Sequence, residues 1–109
     1  MGVIKQVQAE QGSLLLALST VVDIDGKRMI KRLCQHFSHK INAGWNESHG
    51  YIEFAMGFCD MKGNANQMNF RCGANSEAEL KEIIDCIETH FTRFMKQGEC
   101  SLEWKLINA

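Results

Sequence analysis

The chain predicts an α+β fold: one antiparallel sheet of five to six strands with two helices packed on one face. Three observations carry that expectation. Short segments of alternating apolar and polar residues recur through the middle and at the end of the chain; two longer segments carry apolar residues at intervals of three and four; and the order of segments reads β-α-β-β-β-β-α-β. Alternating strands bury one face only, and each helix offers a single apolar stripe. The economical packing therefore covers one face of the sheet with both helices and leaves the other open.

In chain order, residues 1–12 are polar apart from Val3, Ile4 and Val7 and read as a leader or an edge segment. A single domain is expected over 13–109. Ser13 to Val22 is rich in aliphatic and β-branched residues and ends at Asp23-Ile24-Asp25-Gly26, a strand followed by a turn. A first helix starts near Lys27 with Asp23 or Asp25 as its cap. Met29, Ile30, Leu33, Phe37 and Ile41 form its apolar arc, and Lys27, Arg28, Lys31 and Arg32 its solvated basic side. A strand begins at Gly44, and the Asn46 to Gly50 segment is a turn by composition. Tyr51 to Met56 alternates, Gly57 marks a bulge or tight turn, and Phe58 to Lys62 resumes the pattern. Gly63 to Asn66 is a hairpin loop, and Gln67 to Cys72 completes a four-stranded meander. Ser76 with Glu79 forms a capping box for the second helix, whose stripe of Leu80, Ile83, Ile84, Ile87, Phe91, Phe94 and Met95 stops at Gly98. Glu99 to Ile107 is the last strand, with Cys100, Leu102, Trp104 and Leu106 inward. The plan resembles TBP-like and helix-grip folds, a likeness of architecture that carries no expectation of DNA binding.

Composition narrows function. With 45% hydrophobic residues, 23% charged residues and a formal charge of -1, the chain is neither disordered nor a polycation seeking nucleic acid or anionic membrane. Its longest apolar run, Leu14 to Leu18, is far below the roughly 20 residues of a membrane span, and a cytoplasmic location is expected. Five cysteines spaced evenly, with no CxxC pair, suggest neither a disulfide framework nor a zinc module, and most are expected to be small buried hydrophobes.

Reactive side chains crowd one stretch, Leu33-Cys34-Gln35-His36-Phe37-Ser38-His39-Lys40. Cys34 and His36 are two residues apart, hence about 200° apart around a helix, so Cys34 belongs to the core side. His36 and His39 are neighbours on one face beside Lys40, suited to a metal edge or, when protonated, to an anion. His90 flanks the apolar stripe of the second helix and approaches the first pair if the helices pack side by side. His36, His39, Lys40 and His90 are thus the candidate ligand-binding residues; no cofactor is predicted, a transition metal being the option this set leaves open. Cys59, after Gly57-Phe58, is a candidate thiol whose base would have to come from the first helix. No phosphate loop, paired-carboxylate or Ser-His-Asp pattern occurs.

Arg28 to Lys40 (RMIKRLCQHFSHK), Gly50 to Cys59 (GYIEFAMGFC), and His90 to Phe94 with Trp104 resemble the bacterial domain of unknown function family 2218, over roughly residues 13 to 105. The family pattern places Leu33, Cys34, His36, His39 and Lys40 in one motif, with Gly57, Cys59, His90, Arg93 and Phe94 as further matching positions. The family is uncharacterised. Some of its members are joined to siderophore-interacting, flavin-dependent ferric reductases, so the resemblance implies a functional neighbourhood of iron or siderophore handling and a siderophore-interacting protein as partner. The leading expectation is a small non-catalytic binding or accessory module. One alternative is a thiol or metal-dependent enzyme using Cys59 or Cys34 with His36 or His39. Another is a structural domain that homodimerises through the open sheet face.

Overall fold

The structure, a computed structural model, describes residues 14–95 and 102–108. The leader or edge segment, the Gly98 stop and Cys100 lie outside the described residues. The elements are β1 (Leu15–Val22), α1 (Gly26–Ser38), β2 (Ala43–Trp45), β3 (His49–Phe54), β4 (Gly57–Gly63), β5 (Gln67–Ala74), α2 (Glu77–Phe94) and β6 (Lys105–Asn108). They form one six-stranded sheet in the order β2-β3-β4-β5-β1-β6, with every neighbouring pair antiparallel. The fold is the expected α+β sheet with two helices on one face.

Register decides which residues meet the helices. Ala17, Ser19 and Val21 of β1 pair with Cys72, Phe70 and Met68 of β5, which continue into Cys59 and Met61 of β4 and Ile52 of β3. These side chains are all buried, and against them pack Met29, Ile30, Leu33, Cys34 and Phe37 of α1 and Leu80, Ile83, Ile87 and Phe91 of α2. A buried side chain of this size contributes about 1.5–3 kcal/mol by leaving water, so the alternation of the strands and the stripes of the helices are the main source of stability. Phe70 meets Phe91 edge to face, with ring centres 5.8 Å apart.

The helix ends follow from side-chain caps and close backbone approach. Asp25 is the cap of α1: its Oδ1 accepts from the Arg28 amide at 3.2 Å, while Asp23 occupies the left-handed region at φ 62° in the preceding turn. Gly26 donates its amide to the Asn64 carbonyl at 2.8 Å, and a Cβ at this position would collide with the Gln67 carbonyl oxygen, so only glycine lets α1 start against the β4-β5 loop. Ser76 caps α2, its Oγ accepting from the Glu79 amide at 3.2 Å.

Several boundaries differ from expectation. α1 stops at Ser38 rather than running through Ile41, because the Phe37 carbonyl takes the amides of Lys40 (3.0 Å) and Ile41 (2.9 Å) in a turn that aims the chain at β2. β3 begins at His49, since Asn46 Oδ1 accepts from the amides of both Ser48 and His49 at 2.9 Å and completes the turn early. Gly57 is the first residue of β4, reached through the two-residue turn Ala55-Met56. β6 is short. Trp104 precedes it and docks inward, its Nε1 donating to Glu88 Oε2 at 2.8 Å and its ring 5.8 Å from Phe70. Leu106 pairs with Ala17 on the helix side as expected, but lies on an edge strand and is 62% exposed.

Candidate functional site

The strands hold α1 and α2 side by side, so that the outer rim of one helix faces that of the other. His36 projects from the last turn of α1, and its ring centre lies 4.6 Å from that of His90 on α2. Phe37, buried one residue on, packs at 4.8 Å from His90 and 5.8 Å from Phe54. Phe94, one turn after His90, closes the other side at 6.0 Å from His36 and carries the Arg32 guanidinium 4.5 Å from its ring centre. Two imidazoles thus sit in an aromatic seam between the helices. The heptapeptide from Cys34 to Lys40 supplies half of the site and His90 to Phe94 the rest.

The protonation of His90 follows from its partner. Its Nδ1 lies 2.8 Å from the Cys86 carbonyl oxygen, which can only accept, so Nδ1 carries a proton. In the neutral ring Nε2 then keeps its lone pair. The Cys86 thiol sits 4.0 Å from the same nitrogen. At His36, partial burial lowers the pKa, and the positive groups of His90, Arg93, Lys40 and His39 lower it further. His36 thus stands in a cluster of basic side chains. Such a cluster repels a bare metal cation and attracts an anion.

The sequence candidates separate accordingly. His36 and His90 meet. His39 is exposed at the C-cap of α1 and stacks on neither ring; with Lys40, also exposed, it reaches His36 through charge alone. Among the described residues no group of three or more His, Cys, Asp and Glu side chains is placed to hold a metal ion, so the histidines form a pair and not a triad.

Cys34 and Cys59 are fully buried beneath α1, where Cys59 pairs with Cys72 across β4 and β5. Burial pushes the Cys34 thiol up to about 11 and Cys59 well above its ordinary range, Cys59 also being opposed by the neighbouring Cys72. The Cys34 thiol points at the Tyr51 carbonyl, 3.9 Å away. Both thiols thus pack as part of the core. Reading the sequence residue by residue misses Arg32 and Cys86 as members of the seam. The signals were there: Cys86 stands four residues before His90, and Arg32 four before His36, each one helical turn away.

Among the described residues no helix is long and apolar enough to cross a membrane. The fold is shared with PA4090 from Pseudomonas aeruginosa, whose NMR structure matches with a TM-score of 0.73 over 84% of this chain and 95% of that one, at 20% sequence identity. At that identity the likeness is one of fold. No curated protein matches the chain. The bacterial family described as "Uncharacterized protein conserved in bacteria (DUF2218)" matches residues 18–105, a span that takes in both helices, the meander and the His36-His90 seam, and the chain belongs to that family.

Proposed function

We propose that the chain is a non-catalytic binding module that takes an anionic group at the seam of α1 and α2, with His36, His90 and Lys40 as its principal contacts and His39 and Arg93 as outlying positive charge. The observation that carries this reading is the meeting of the His36 and His90 rings at 4.6 Å, with Arg93, Lys40 and His39 among the basic groups that lower the His36 pKa. An anion entering the seam relieves that repulsion and gains charge-assisted hydrogen bonds from the imidazoles. The buried thiols lend no support to a thiol enzyme.

An anionic metal chelate combines the two chemistries the seam offers. Its negative charge suits Lys40 and Arg93, and the lone pair left on His90 Nε2 favours a second reading in which an imidazole touches the metal itself. A ferric chelate also accords with the siderophore neighbourhood implied by the family resemblance, and a siderophore-interacting protein is then the natural supplier or recipient of the ligand.

Calorimetric titration with citrate, ferric citrate and Zn²⁺ alone tests these readings. Because anion binding draws on a protonated His36 whose pKa lies below the ordinary histidine value, citrate affinity is expected to rise as pH falls from 7.5 to 6.0. Lys40→Gln and His36→Gln are expected to weaken it severalfold. Citrate binding that ignores both pH and the two substitutions overturns the anion site; Zn²⁺ binding tighter than that of either chelate, lost in His90→Ala, moves the function to a metal.

A further inference from the structure

The face of the sheet away from the helices carries its own organised surface. Two rows of side chains cross it at the strand spacing of about 4.8 Å. One row runs Gly44, Tyr51, Asp60, Arg71, Leu18 across β2, β3, β4, β5 and β1, and the next runs His49, Lys62, Asn69, Thr20. The rows floor a concavity of about 730 Å³, within the range of small-molecule sites.

The floor is built rather than merely left over. Gly44 stands opposite Tyr51, and a Cβ there would lie 2.8 Å from the phenol ring, so the glycine lets Tyr51 lie across β2. Beside the floor, on the same face, Gly73 makes similar room for Phe58, whose ring would meet its Cβ at 2.6 Å. Tyr51, 40% exposed, supplies the aromatic surface at one end of the floor. In the middle Arg71 binds Asp60 at 2.8 Å, and Thr20 Oγ1 donates to Asn69 Oδ1 at 2.6 Å. Lys62 forms no ion pair among the described residues. Two cations face one carboxylate, leaving a net positive charge beside aromatic surface.

From this geometry we infer a second binding site, on the open sheet face, for a small organic anion with a flat apolar body. The body stacks on Tyr51 and against Leu18, and the acid group meets Lys62 and Arg71. Shape and charge favour this occupant over a second copy of the chain. Two concave faces brought together enclose a void, and a two-fold contact sets Lys62 and Arg71 near their own copies.

Amide chemical-shift titration with 2-naphthoate and with neutral 2-naphthamide tests the site, the two probes sharing one body and differing in charge. The naphthoate is expected to shift the amides of residues 18–20, 51, 60–62 and 69–71, and to bind at least fivefold more tightly than the amide. Lys62→Gln, at an exposed position whose fold the same spectrum reports, is expected to remove most of that difference and to leave the naphthamide unaffected. Equal affinity for the two probes, or shifts confined to residues around His36 and His90, overturns the site. Loss of the same signals on raising protein concentration without ligand overturns it in favour of a second copy.

Discussion

Cys34 and His36 are two residues apart in sequence and occupy opposite environments. The thiol lies under α1 among Ile30, Leu33 and the inner faces of β3 and β4, where burial holds it protonated with a pKa of about 11. The imidazole stands on the rim of the same helix, against His90 and Phe94 and within the field of Lys40 and Arg93. Little more than half a turn of helix thus separates a potentially reactive group silenced by packing from a weaker one left available by it. Residue chemistry alone does not locate a site; the helix period, which assigns each group to core or rim, does so.

The most severe way to break that contrast is to place the same charge on both sides of the helix. Cys34→Asp buries a carboxylate without a partner and is expected to cost about 3–5 kcal/mol, enough to unfold much of the protein. His36→Asp puts a carboxylate among cations at the exposed rim and is expected to change stability by less than about 0.5 kcal/mol. Chemical denaturation of both variants measures the difference. Equal destabilisation would show that α1 is not seated as described.

Thiol labelling sharpens the same comparison without altering the fold. A pKa of about 11 in place of 9.0 leaves Cys34 roughly a hundredfold less thiolate than an ordinary cysteine at pH 8. Cys86 is only partly buried, so its thiol is raised for the same cause but still meets solvent. In native protein a disulfide reagent is expected to modify Cys86 well before Cys34 or Cys59, as peptide mass mapping would show, and all of them at similar rates in denaturant. Early modification of Cys59 in the native state would reinstate it as a reactive group.

A smaller effect is expected from pH. The folded-state pKa of His36 lies below the unfolded value, so between the two the unfolded chain binds more protons. The contribution of His36 is therefore intact above the ordinary histidine range and is lost as pH falls through it. Thermal midpoints are expected to decline modestly from pH 7.5 to 5.5, with a shallower decline in His36→Gln and partial recovery when citrate is present. A wild-type midpoint that rises on acidification would contradict the cationic surroundings of His36.

The periodic parts of this architecture were legible in the sequence. Stripes such as Leu80-Ile83-Ile87-Phe91 and alternations such as Ile52-Phe54 state which face is buried, and with the Ser76 cap they yielded the element order and the assignment of Cys34 to the core. Boundaries depended on interactions between distant residues. The Gly26 amide on the Asn64 carbonyl and the turn at Phe37 that ends α1 have no local signature, so the apolar arc through Ile41 overstates the length of the helix. The site was half legible for the same reason. Spacing grouped His36 with His39, but the early helix end releases His39 to the cap, and only the pairing of the two helices brings His90 to His36. The concave floor on the other face was invisible, because register alone aligns Lys62 with Asn69 and Arg71 with Asp60 across strands.

The smallest expected effect lies on the buried side of the comparison. Ser19 faces the helices between Ala17 and Val21 and opposite Phe70; it is 4% exposed, and its Oγ has no hydrogen-bond partner among the described residues. Leaving water without a partner costs a hydroxyl about 1–3 kcal/mol, whereas an alanine in the same space carries no such cost and differs by one small atom. Ser19→Ala is therefore expected to leave stability unchanged or to raise it by up to about 1 kcal/mol, read as a shift in denaturation midpoint at constant slope. Thr20→Ala, one residue along on the open face, removes the bond to Asn69 and is expected to lower stability slightly. If Ser19→Ala were instead the costlier of the two, its hydroxyl would have to be satisfied within the core, and the inner face of the sheet would not be the uniformly apolar surface that silences Cys59 and Cys72.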